Sequence, residues 1–126
     1  MKLRIAGLLM LAGLALASAS GIVPLAGESP LPIVRGDAWK YLKGTAEPPA
    51  AWNTSGFDDS AWLTGASGIG YGDNDDATVL SDMSNTYSTV YMRRLFDVPN
   101  PAALTGLEMR VDYDDGFVAW INGVEV

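Results

Sequence analysis

The sequence predicts an all-β fold, a jelly-roll or sandwich arrangement of short strands, on three observations. Residues 107–113 alternate, with Leu107, Met109, Val111 and Tyr113 on one side and Glu108, Arg110 and Asp112 on the other, which is the period of a half-buried strand. The apolar run Phe117–Ile121 stops at Asn122-Gly123, the dipeptide that best accepts the positive φ values of a type I′ reversal. After the first twenty residues no useful 3.6-residue apolar period occurs, while turn-forming clusters recur at the intervals of a sandwich.

The reversal also sets a register. A two-residue turn puts Ile121 opposite Val124, Trp120 opposite Glu125 and Ala119 opposite Val126. Phe117, Ala119, Ile121, Val124 and Val126 then share one apolar side, expected to be the core face. Trp120 falls on the other side, beside Val118 and across from Glu125. It is therefore either packed under another segment or an exposed platform.

From the start of the chain, the organisation reads as follows. With 126 residues, 48% hydrophobic and 18% charged, the composition is that of one globular domain. Lys2 and Arg4 precede an apolar run from Ile5 to Leu16, and Ala17-Ser18-Ala19 supplies small residues for a peptidase, so residues 1–19 are predicted to be a cleaved export signal. The run is shorter than the ~20 residues a membrane span needs. Localisation is thus expected to be secreted, extracellular or periplasmic. Residues 20–36, with Pro24, Pro30 and Pro32, read as a linker or N-terminal arm, and the β domain is expected over 37–126.

Within that domain Trp39 and Tyr41 share a face of a short strand ending at Gly44. The run Phe57-Asp58-Asp59-Ser60-Ala61-Trp62 reads as a turn, because Asp and Ser bond nearby backbone N–H groups, leaving Phe57 and Trp62 as anchors. Glycines from Gly65 to Gly72 mark a bent or bulged strand rather than a phosphate cradle, since no Gly-Lys-Ser/Thr or helix pattern follows. The polar stretch from Asp73 to Ser88 is expected to run over the surface. In the strand Ser88–Val98, Val90, Met92, Phe96 and Val98 fall on one face with Arg94 in phase, so Arg94 is expected to meet a carboxylate or be turned outward by a bulge.

In order along the chain, Trp39-Lys40-Tyr41-Leu42, Trp52, Phe57 to Trp62, Gly70-Tyr71-Gly72-Asp73, Tyr91 to Val98, and Asp114-Asp115-Gly116-Phe117 leading to Trp120-Ile121-Asn122-Gly123-Val124-Glu125-Val126 resemble the galactose-binding-like jelly roll of secreted bacterial proteins. A similar domain opens the family 2 glycoside hydrolases. The resemblance covers residues 37–126. It implies further strands after the Asn-Gly hairpin, and hence an incomplete sandwich within these 126 residues.

The chain has no His and no Cys, which excludes Ser-His-Asp and Cys-His chemistry, thiolate sites and disulfides. Paired carboxylates in an apolar setting, as glycoside hydrolysis needs, are not evident either, so no catalytic residue is assigned. Removing Lys2 and Arg4 from eight basic residues leaves six against fifteen acidic ones, a formal charge of −9 that argues against nucleic acid or an anionic membrane as partner. Asp73, Asp75 and Asp76, with Asp82 nearby, offer oxygen ligands for a structural calcium ion, although EF-hand spacing fails. Asp112, Asp114 and Asp115 form a second acidic group that reads equally as a tight turn. For carbohydrate, the candidate contacts are Trp120 and Glu125.

The function expected is therefore a non-catalytic accessory module of a secreted protein, carbohydrate-binding or a spacer beside other domains of the same chain. The alternative is the N-terminal part of an extracellular hydrolase whose active site lies downstream of Val126.

Overall fold

The computed structural model describes residues 2–6, 33–72, 74–98 and 100–126, and the fold over them is all-β. Nine strands are described: β1 (Lys2–Ala6), β2 (Ala38–Lys43), β3 (Leu63–Ala66), β4 (Ile69–Gly70), β5 (Thr78–Val79), β6 (Val90–Arg93), β7 (Arg110–Asp114), β8 (Trp120–Ile121) and β9 (Val124–Glu125). The helical element among these residues is a single 3-10 turn, Pro101–Ala103. Of the expected export signal, residues 1 and 7–19 lie outside the described residues, as do residues 20–32 of the arm.

The strands form three sheets, ordered β5-β4-β1-β7, β3-β2-β6 and β8-β9. In the second sheet, β2 lies between antiparallel neighbours, with Tyr41 opposite Leu63 on one side and Met92 on the other. Trp39 and Tyr41 alternate inward as the period-two pattern requires, and both are buried. In the first sheet β1 pairs antiparallel with β7 over five residues, Lys2 opposite Asp114 through Ala6 opposite Arg110.

The core joins the first two sheets. Trp39 and Tyr41 from β2, Ile69 from β4, Val90 from β6, and Leu80 and Met83 from the connection after β5 pack together, with Ile33, Tyr71, Tyr87 and Met92 against them. Leu80 and Met83 correct the expectation that the stretch to Ser88 merely runs over the surface: they are 2% and 1% exposed. The backbone tucks them in through a compact turn in which Met83 N–H donates to the Leu80 carbonyl, and Thr86 and Tyr87 N–H both donate to the Met83 carbonyl.

The glycine at position 65 lets the two sheets close on each other. A Cβ there would lie 2.5 Å from Thr78 Oγ1, which itself donates to the Ala66 carbonyl at 2.8 Å. Any side chain would push β5 off β3.

Two strand expectations need correction. The regular part of the 107–113 pattern is Arg110–Asp114, and its apolar side faces outward: Leu107, Met109 and Tyr113 are exposed and only Val111 is half-buried. The Ser88–Val98 pattern pairs only over Val90–Arg93. Arg94 meets the expected carboxylate, with Nη2 3.1 Å from Asp37 Oδ2, and also donates to the Ala38 carbonyl. The more deeply buried guanidinium, though, is Arg93 on the opposite face, where alternation alone predicts an outward side chain.

Candidate functional site

The hairpin has the expected register, Trp120 opposite Glu125 and Ile121 opposite Val124, closed by Val126 N–H donating to the Ala119 carbonyl. Asn122 and Gly123 take φ of 51° and 84°, the left-handed pair that the dipeptide was selected to supply. The face assignment is the reverse of the expectation. Phe117, Ile121, Val124 and Val126 are exposed, Ala119 is half-buried, and it is Trp120 on the other side that packs inward. The reason is physical. An indole offers far more apolar area to bury than the aliphatic side chains opposite, and it finds an aromatic partner.

That partner is Trp52. The Trp120 and Trp52 rings meet edge-on with centroids 5.3 Å apart, while Trp52 stacks on Trp62 at 6.0 Å and receives Tyr91 edge-on at 5.4 Å. Phe57 closes the group against Trp62 at 5.7 Å. Tight turns build this wall: Trp52 N–H donates to the Pro49 carbonyl, Thr54 N–H to Ala51, and Phe57 N–H to Thr54. In the run after Phe57, Ser60 N–H donates to Asp58 Oδ1 at 3.0 Å and Trp62 N–H to the Asp59 carbonyl, so the expected Asx-type turn and its two aromatic anchors are present. The bond from Ser60 holds the Asp58 carboxyl below its ordinary value.

Arg93 locks the wall to β6. Its Nη1 and Nη2 each donate at 3.0 Å, to the carbonyls of Phe57 and Thr54, and its guanidinium lies 5.1 Å from the Phe57 ring centroid. At the wall's edge, Tyr91 O–H donates to Glu47 Oε2 at 2.7 Å, and that bond raises the tyrosine pKa, with a smaller contribution from burial. Glu125 is exposed across the hairpin from Trp120. The candidate carbohydrate contacts Trp120 and Glu125 thus sit together, and the structure adds Trp52, Tyr91 and Glu47. Sequence reading offers Trp52 and the tyrosines as flat faces for a sugar ring but does not bring Glu47 to them, because forty-four positions separate Glu47 from Tyr91. The signal available was the outward phase of Tyr91 next to inward Val90 and Met92.

The candidate calcium ligands lie on the loop between β4 and β5, only in part within the described residues. Asp73 lies outside the described residues, Asp75 is exposed, and Asp76 is half-buried with Oδ1 3.0 Å from the position a Cβ on Gly70 would occupy. Asp82 is engaged elsewhere: Lys43 Nζ lies 2.7 Å from its Oδ2 and Tyr87 O–H donates to Oδ1 at 3.0 Å. The lysine bond pulls the Asp82 carboxyl below its ordinary value. Among the described residues, no three acidic, His or Cys side chains form a group able to hold an ion. Asp112 and Asp114 are exposed on β7, and Asp115, with φ of 78°, sits at a bend directly after that strand.

Comparison of the chain with models of known protein families, with curated proteins and with solved structures gives no match.

Proposed function

We propose that this chain carries a non-catalytic accessory domain of an exported protein, of the galactose-binding-like jelly-roll kind, that contacts carbohydrate through the Trp120 and Glu125 side of its hairpin. The observation that supports this reading is the aromatic wall of Trp120, Trp52 and Tyr91 with Glu47 and Glu125 at its border. The C–H face of a pyranose packs on such rings, and carboxylates accept hydrogen bonds from its hydroxyls. A formal charge of −7 disfavours phosphate-rich or sulfated partners, so the ligand is a neutral glycan.

The test is a neutral glycan array followed by calorimetry on the hits. Trp120→Ala is expected to weaken binding about tenfold and Glu125→Gln about threefold, the scale of one aromatic contact and one hydrogen bond. Trp120→Phe keeps a ring against Trp52 and should recover part of the loss, which separates a lost contact from a loosened hairpin. If no neutral glycan binds, or if Trp120→Ala binds as the parent does, the reading fails and a purely structural spacer is left.

A further inference from the structure

The strand β7 lies at the rim of its sheet: β1 pairs with one of its edges, and among the described residues no strand pairs with the other. Such an edge directs a row of N–H and C=O groups outward, and proteins ordinarily blunt it with lysine, proline or a bulge. Arg110-Val111-Asp112-Tyr113-Asp114 contains no lysine and no proline, and its pairing with β1 runs unbroken from Ala6 opposite Arg110 to Lys2 opposite Asp114. Arg110, Asp112, Tyr113 and Asp114 are exposed, and Val111 is half-buried. The edge is regular and accessible.

Its charges complement themselves when the strand is reversed. Antiparallel pairing of two copies about a two-fold axis at Asp112 sets each Arg110 opposite Asp114 of the second copy and each Val111 opposite its Tyr113, both contacts occurring twice. The one unfavourable pair is Asp112 against its own counterpart, and each Arg110 lies diagonally beside it. An axis at Val111 keeps two attractive pairs, Arg110 with Asp112, but adds two repulsive ones, Glu108 with Asp114. An axis at Tyr113 sets Asp112 against Asp114 twice, and parallel pairing in register brings every charge to its own kind. Of these registers only the axis at Asp112 leaves attraction ahead of repulsion. Arg110 is suited to the role: its Nε donates to Glu108 Oε1, and its guanidinium has the N–H groups of both Nη atoms besides. On the apolar side, the exposed Tyr113 ring, 4.8 Å from that of Phe117, comes beside Val111 of the second copy and loses contact with water. We propose that the open edge of β7 is a dimerisation surface whose partner is a second copy of this chain, paired antiparallel about a two-fold axis at Asp112.

The absence of cysteine from the chain makes the register readable by single-cysteine cross-linking of the full chain. Residues directly opposite in an antiparallel pair have Cα atoms about 4.5–5.5 Å apart, within reach of a disulfide, whereas diagonal neighbours at about 7–8 Å are at or past its limit. Under one added oxidant, Asp112→Cys is expected to form the covalent dimer about tenfold faster than Val111→Cys or Tyr113→Cys alone, and an equimolar mixture of the last two should give their mixed disulfide. A second measurement does not depend on cysteine. In sedimentation runs Arg110→Asp and Asp114→Lys should each weaken self-association about tenfold, and mixing the two variants should restore it, because opposite charges then meet at both contacts between positions 110 and 114. Trp120→Phe should change neither result, which keeps the dimer separate from glycan binding at the Trp120 wall. Equal cross-linking at the three positions, a mixture no tighter than either charge variant alone, or a chain that stays monomeric at every concentration, as it would with residues 7–32 on that edge, would each overturn the assignment.

Discussion

Arg93 and Asp59 face each other across the turn that carries the aromatic wall, Nε to Oδ2 at 3.3 Å, with the arginine side chain 8% and the aspartate 23% exposed. The same guanidinium satisfies the carbonyls of Thr54 and Phe57, so one side chain from β6 closes the whole segment from Trp52 to Trp62. Removing it takes a partner from three acceptors at once, of which, among the described residues, the Thr54 carbonyl alone keeps a second donor, Phe57 N–H. Arg93→Met is expected to destabilise the domain by about 3 kcal/mol, within the range for breaking one side of a buried pair. Arg93→Lys should recover less than half, because a single ammonium cannot reach a fork of separate acceptors. Asp59→Asn, which leaves the carbonyl contacts intact, should cost about 1 kcal/mol. Urea unfolding of the three variants checks the order; a lysine variant as stable as the parent would sink the argument.

The pairing of Trp39 with Tyr41, the Asp58 turn and the hairpin register were legible because each depends on neighbours within a few positions. The inversion of the hairpin faces was not, since nothing near Trp120 in sequence announces Trp52 as its partner. Likewise, alternation in β6 correctly separates Val90 and Met92 from Tyr91 and Arg93, but cannot say that a distant turn covers the second face. Leu80 and Met83 hid in a polar run. Their spacing with Tyr87, three and then four positions apart, is that of one side of a helical turn, a cue outweighed by the polarity around them.

With Leu80 only 2% exposed at the centre of the core, Leu80→Ala is expected to lower stability by about 3 kcal/mol through lost transfer energy and the cavity left behind. The neighbouring exposed Ser81→Ala should stay within about 0.5 kcal/mol of the parent. Comparable effects from the two would return the segment to the surface.

Tyr87 provides a titration marker for the Lys43, Asp82 and Tyr87 chain. Burial first, and then its bond to Asp82, push the phenol up to about 12. A group whose pKa is raised by folding contributes stability below its unfolded value, here 10.0, and loses that contribution as pH climbs to about 12. Asp82 behaves oppositely: its carboxyl lies below 3.8, so its share is present above that value and fades as acid protonates it. Ultraviolet difference titration should show one late phenol that is missing in Tyr87→Phe, and Lys43→Met should move the acid transition toward higher pH. A Tyr87→Phe titration curve that differs from the parent's only in the ordinary tyrosine range would refute the linkage.

The strand Arg110–Asp114 has one partner among the described residues, β1, whose five residues open the segment that the sequence reads as an export signal. A lone strand cannot satisfy its own N–H and C=O groups, so β7 is only as ordered as its neighbour. Removing residues 1–19 is therefore expected to bring amide exchange in Arg110–Asp114 to open-chain rates. The β3-β2-β6 sheet, which makes no bond to β1, should keep its protection. The freed strand would leave an unpaired edge beside the exposed Leu107, Met109 and Tyr113, and the shortened chain should self-associate more readily in sedimentation runs as its concentration rises. Adding a peptide of residues 2–6 in trans should restore protection at Val111 and Tyr113, their opposites being Ile5 and Leu3. If β7 stays protected in the shortened chain without the peptide, its order does not depend on β1 and the argument fails.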